Sequence, residues 1–365
     1  MLRKLSSAAF ILFACAGILS ARPASSYYSA RFHSYNSRIK VSIITDEAEA
    51  VLKIAGLKAK GQVPQEADWQ RLFSSEGYVR LKKRELFMKR SFEDSTFRTF
   101  VLSPDLARRL PELTRALKNW EMIDVKNAAQ LAFNYLPSDA VIRAKIYPVI
   151  KPRENSFVFE TNTDPAIFMY INPALSSEQL NNTLTHELHH IGTGSIRCSH
   201  ESDSTSSPGL KAALDWMSGF SEGRAMLAAA TSPEIHPHAT SDSSKRAVWE
   251  RDLARAEKDI YRMEQFFNKL LDDSLSKNDQ YNEGMSFVFT DDSPQGAFYT
   301  VGWLMASTIE KSYGRQRLIS SLCDPYMFIS DYNKAAMELN RTSGKKLPLW
   351  SSELIQRICP EKNKK

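Results

Sequence analysis

Beyond its first twenty residues this 365-residue chain has no run approaching the about eighteen apolar residues of a membrane helix, so no transmembrane span is expected. Cysteine is equally scarce. Of four cysteines, Cys15 falls in the leading segment, while Cys198, Cys323 and Cys359 are too scattered for a disulfide scaffold or a thiolate zinc site. Export permits one bridge, and Cys323 with Cys359 is the expected pair, leaving Cys198 as a thiol. The chain lacks internal repeats and low-complexity tracts, which excludes solenoids and arrays. It also lacks a nucleic-acid platform. The densest basic run, Arg80 to Arg90, is interrupted by Glu85, Leu86, Phe87 and Met88 and has neither glycines nor spaced aromatics, so it reads as a solvated helix face.

What remains is ordinary globular composition, 42% apolar and 25% charged, and one domain in two lobes fits it as well as two domains do. Met1-Leu2-Arg3-Lys4 followed by apolar Ala8 to Leu19 has the architecture of a secretory signal peptide, with small residues favouring cleavage near position 21. The expected location is periplasmic or extracellular. Losing Arg3 and Lys4 lowers the formal charge from +6 to near +4. An alternative makes Leu12-Phe13-Ala14-Cys15 a lipoprotein box with lipid on Cys15, but apolar residues continue past that cysteine.

The pattern predicts an α+β fold, predominantly helical. After residues 1–21 comes a mostly helical portion, 22–137, and then a catalytic portion, 138–358, with a sheet and motif helix over 140–192 and a helical lobe over 210–358. A polar stretch from Arg22 to Asn36 leads to a strand at Lys40 to Ile44, and Asp46 is placed to cap a helix running to about Leu57. Trp69, Leu72, Phe73, Trp120, Leu131 and Phe133 are core anchors of the helices that follow. Strands are predicted at Ala140 to Ile150, Phe157 to Phe159 and Ala166 to Ile171. Ser176 and Gln179 form a capping box for a helix to Ile191, ended by Gly192 and Gly194. Further helices are expected at Leu210 to Ala230, Ala247 to about Leu271 and Phe298 to Tyr313.

His186-Glu187-Leu188-His189-His190 is an HExxH motif. Two imidazoles one helical turn apart project together and can share a metal ion, with Glu187 in reach of a water activated there. Leu180, Leu184, Leu188 and Ile191 form an apolar stripe well over a quarter-turn from both histidines, so one face packs while another is free to bind. The plain alternative is a pair of histidines hydrogen-bonded in a core helix. His189 points away and reads as a surface residue or a hydrogen-bond partner of a ligand. A catalytic zinc site needs a third protein ligand. Thr193 and Ile196 stand where a metzincin would have glycine and histidine, leaving His200, Glu201, Asp215 and Glu222. Glu222 is favoured because Ser218, Gly219 and Gly223 let its helix approach closely, whereas His200 and Glu201 lie in a loop, a poor support for a rigid site. Asp215, on the same predicted face, is the runner-up or a partner for a ligating histidine. His236 and His238 read as loop residues.

HELHH and SEGRA together resemble the gluzincin clan of metallopeptidases, whose second motif is a glutamate-glycine pair on a helix after HExxH. More closely, the chain resembles a bacterial family of zinc-dependent peptidases catalogued as a domain of unknown function. The likeness runs from Asp68-Trp69 through Asn155-Ser156-Phe157-Val158-Phe159, the two motifs and Tyr299-Thr300-Val301-Gly302-Trp303 to Asp331-Tyr332-Asn333. It implies a zincin-like fold with an edge strand before the motif helix. The gap between His190 and the second glutamate exceeds that of the best-known aminopeptidases of the clan, and their amine-binding motif has no counterpart here.

The expected activity is hydrolysis of a peptide or protein substrate, with one zinc ion on His186, His190 and Glu222 and with Glu187 as general base. Tyr299, starting an apolar helix after a loop, is the candidate oxyanion donor, its alternative being a packed tyrosine with a surface hydroxyl. The strand Ala166 to Ile171 is expected to offer its edge to an extended substrate. The rival readings are a zinc-stabilised scaffold without turnover and a hydrolase acting on nonpeptide amides or esters. A purely structural site has no use for Glu187.

Overall fold

A computed structural model of the chain describes residues 30–359 except 162, 197, 199–205 and 291. The signal-like segment with Cys15, and the loop candidates His200 and Glu201, lie outside the described residues.

One sheet organises the first half of the molecule. Its strands are β1 (Ala30–Asn36), β2 (Ile39–Ile44), β3 (Ile142–Val149), β4 (Phe157–Phe159) and β5 (Ala166–Tyr170), in the order β1-β2-β3-β5-β4. β2, β3 and β5 run parallel, and β1 and β4 close the two sides antiparallel. Every residue of β5 is buried, as a parallel strand covered on both faces requires. β1 falls in the stretch read as merely polar; it is held by its ladder to β2, and an edge strand needs no apolar pattern of its own. Because β2 pairs with β3, the division at residue 137 cuts through one sheet.

The expected free edge is a correction. β5 lies between β3 and β4, and beyond the last β4 pair the Tyr170 N–H donates to Ser156 Oγ at 3.1 Å. The open edge belongs to β4.

The helices in chain order are α1 (Asp46–Ala59), α2 (Glu66–Phe73), α3 (Glu76–Phe87), α4 (Asp94–Val101), α5 (Pro104–Glu121), α6 (Val125–Phe133), α7 (Ser177–Gly194), α8 (Pro208–Met217), α9 (Ser221–Ala230), α10 (Ser243–Leu253), α11 (Ala256–Leu271), α12 (Lys277–Met285), α13 (Ala297–Tyr313), α14 (Arg315–Ser320), α15 (Pro325–Ser343) and α16 (Ser352–Arg357). Asp46 opens α1, and its carboxylate accepts the Glu47 N–H at 2.8 Å as well as those of Glu76 and Gly77 at 2.6 and 3.2 Å, so one side chain serves the first turn of its own helix and that of α3. The helix expected over Leu210 to Ala230 is broken by a 3-10 turn, Ser218–Phe220, where the Ser218 hydroxyl donates to the Asp215 carbonyl. The one expected from Ala247 is likewise two helices, α10 and α11.

Two cores result. The first joins the sheet face of Val41, Ile146 and Ile167 to α1, α5, α6 and α7, with Trp69, Leu72 and Trp120 buried in it. The second is built from α8 to α16 around Phe220, Phe267, Phe298, Tyr332 and Trp350. A smaller cluster under α3, with Tyr147, Phe157 and Phe168, covers the other face of the sheet. The lobes are also joined covalently, by Cys198–Cys323 with Cα atoms 5.1 Å apart. The predicted Cys323–Cys359 pair is overturned: Cys359 keeps its thiol beyond α16, while Cys323 lies on a turn that faces the first lobe.

Candidate metal centre

α7 forms where its sequence says it should. The Ser176 hydroxyl accepts the Gln179 N–H at 3.1 Å, the Gln179 side chain accepts the Ser176 N–H at 2.9 Å, and Leu180, Leu184, Leu188 and Ile191 are buried in the first core. Gly192 does not end the helix. It lies against the segment that follows α6, where a Cβ would stand 2.1 Å from Leu136 Cδ1, and the helix continues to Gly194.

His186 and His190 leave the opposite side of α7 and meet Glu222 in the first turn of α9. Glu222 Oε2 lies 3.2 Å from His186 Nε2 and 3.1 Å from His190 Nε2, and the two Nε2 atoms are 3.1 Å apart. Three ligand atoms of a tetrahedral zinc with bonds of about 2.0–2.1 Å form a triangle with edges of about 3.3–3.4 Å. The triangle present is within a few tenths of an ångström of that, and its donor set, two imidazoles and a carboxylate, is one that zinc accepts. The residues therefore fit the ion. Each of the three side chains is only 12–16% exposed. Burial alone would raise the Glu222 pKa, yet His190 and His186 beside it hold the carboxyl well below its usual range. Burial disfavours the His190 cation, but Glu222 outweighs it and raises that pKa. The point of convergence draws positive charge.

Glu187 follows the first imidazole and lies outside the triangle. Burial pushes its pKa up, and Glu222 adds to the rise against the opposing influence of His186 and His190. Tyr299, in the first turn of α13, stacks on His186 with ring centroids 6.1 Å apart and planes within 5°. Burial raises its pKa well above 10, and the Glu222 and Glu187 carboxylates raise it further. Its hydroxyl therefore stays protonated and faces Glu222 as a donor.

His189 is not a surface residue. It is 1% exposed, and burial, with His190 and His186 beside it, pushes its pKa down to about 3. Asp215 is exposed on α8 and is not part of the cluster of possible metal ligands among the described residues. His236 and His238 pair locally, His238 Nε2 with Gln295 Oε1 at 2.7 Å. Arg224, which sequence reasoning left without a role, is buried behind the centre; a charged residue just ahead of the apolar run Ala225 to Ala230 was the available signal.

Residues 69–341 match the family described as "Putative zinc dependent peptidase (DUF5700)". The chain belongs to that family. No curated protein and no solved structure matches it. All five residues of the centre fall inside the family's span, as do both helices, α7 and α9, that bring the three donors together.

Proposed function

We propose that the protein is a zinc metallopeptidase that hydrolyses peptide bonds with Glu187 as general base. The observation that carries this reading is the convergence of His186, His190 and Glu222 with a half-buried carboxyl of raised pKa, Glu187, next to the first imidazole. Zinc in such a site supplies Lewis acidity and a water with a pKa near 7. Glu187 takes the proton from the attacking water and returns it to the departing amine. Tyr299, kept protonated by its surroundings, donates to the oxyanion as it develops. An extended substrate adds to the open edge of β4 rather than to β5. Export is part of the proposal, supported by the signal-like start and by a disulfide, which persists in oxidising compartments.

The test is cleavage of a proteome-derived peptide pool by the wild type and by Glu187→Gln, with zinc content measured for both. Gln keeps size and hydrogen bonding but cannot accept the proton, so zinc should stay near one per chain while turnover falls about 100- to 10,000-fold. Wild-type turnover in Glu187→Gln would refute the mechanism. Zinc in both proteins with cleavage in neither would put a scaffold role ahead.

A further inference from the structure

Behind the metal centre, both ligand-bearing helices are tied to one short turn. Arg224, two residues on from Glu222, is 7% exposed, and among the described residues it forms no ion pair, Asp324 only opposing from farther off the effect of its burial. Its guanidinium instead donates to the carbonyls of Ser321 at 3.1 Å and Leu322 at 3.3 Å, and lies 3.8 Å over the Phe328 ring. Those carbonyls belong to the turn after α14, and the Ser321 carbonyl also accepts the Asp324 N–H at 3.1 Å, so the guanidinium clamps the turn itself. The next residue, Cys323, is bridged to Cys198, eight positions past His190, and Leu322 and Cys323 pack against the first core. A continuous path thus runs from α9 through Arg224, the 321–323 turn and the disulfide to the end of α7.

Stability alone does not account for this arginine. Among the described residues its Nε is buried without a hydrogen-bond partner, and an incompletely satisfied buried cation costs more than an apolar side chain of similar size. Position does account for it. α9 runs on from the 3-10 turn Ser218–Phe220 with no side-chain cap of its own, and the Arg224 fork is what ties its first turns, which carry Glu222, to the 321–323 turn. We propose that Arg224 is a positioning residue that, in series with Cys198–Cys323, fixes the span between Glu222 and the two imidazoles and so sets the affinity for the metal. The proposal rests on those three residues being the zinc ligands.

Zinc dissociation constants, measured by chelator competition well below the apo unfolding temperature, test it. The proteins are the wild type, Arg224→Met, Arg224→Lys, a Cys198→Ser, Cys323→Ser double variant, the combination of that double variant with Arg224→Met, and His186→Ala. Arg224→Met should weaken zinc about 10- to 100-fold, the usual effect of losing a group that orients a ligand. Arg224→Lys should recover part of this, because an ammonium serves one carbonyl but not both in a planar fork; it carries the test if Arg224→Met does not fold. Links in series fail together, so the combined variant should bind no more weakly than the worse of its two parts. Factors that multiply, as independent sites do, would overturn the shared path. A lower apo melting temperature with unchanged zinc affinity would make Arg224 merely structural and overturn the proposal. A wild type that His186→Ala matches in zinc binding would instead overturn the ligand set itself, a result distinguishable from neutral Arg224 variants.

Discussion

Replacing Gly223 by alanine sets two calculable effects against each other. α9 and α13 touch backbone to backbone at this point, and a Cβ on residue 223 would stand 2.1 Å from Trp303 N and 2.2 Å from the Gly302 carbonyl carbon. Ordinary contact begins near 3.4 Å, so the helices must part by about 1.3 Å, and no side chain can rotate to relieve them. Alanine gains about 1 kcal/mol of helix propensity over glycine. Overpacking against fixed backbone costs about 3 kcal/mol, so the net loss is about 2 kcal/mol. The same displacement shifts Glu222, the preceding residue, relative to the imidazoles on α7, and a ligand displaced by about 1 Å no longer completes a site built to tolerances of about 0.5 Å. Urea unfolding and zinc titration of Gly223→Ala should therefore both register the change. Gly302→Ala is the control: its Cβ meets Phe220 O at 3.0 Å and Gly223 Cα at 3.2 Å, a gap that shifts of a few tenths of an ångström relieve. A Gly223→Ala protein more stable than wild type with unaltered zinc affinity would show the propensity gain unopposed, and the close crossing would be refuted.

Tyr299→Phe keeps the ring on His186 and deletes only the hydroxyl, so zinc content should hold while kcat falls about 100- to 1,000-fold; unchanged turnover would remove Tyr299 from the mechanism. Free zinc at about a thousand times its Kd should stabilise the wild type by about 4 kcal/mol in calorimetry and leave His190→Ala unmoved, whereas equal responses would reject the ligand set. Glu47 is 1% exposed, and burial raises its pKa well above the usual range, with Asp46 contributing. The folded protein therefore binds that proton more tightly than the unfolded chain, and stability falls as pH rises from the unfolded carboxyl pKa through the raised folded value. Glu47→Gln, which still accepts the Ile150 N–H, should gain on the wild type across that window and keep the gain above it; parallel stability curves for the two proteins would contradict this.

What was legible in the sequence is what depends on near neighbours. The capping box of α7, its apolar stripe and the projection of His186 and His190 from one side all follow from residues three and four apart, and all are present. What was not legible depends on partners far along the chain. Asp46 looks like a cap of the helix it starts and does accept the Glu47 N–H, yet its carboxylate also takes two N–H groups of α3, which arrive there only after folding. The strand before the motif helix looks like an edge, yet the three residues of β4 pair outside it, and strand order is not written in either segment. Any pairing of the three later cysteines is compatible with the sequence, and only the approach of the 321–324 turn to the end of α7 selects Cys198–Cys323. The metal centre divides along the same line. Two of its donors are fixed by helical spacing within α7, but the third arrives on another lobe, held by the α9–α13 crossing and the Arg224 tether. Substitutions within HExxH therefore probe the local half of the site. Gly223 and Arg224 probe the half that only folding assembles, and variants there should lose metal while every recognisable motif residue remains in place.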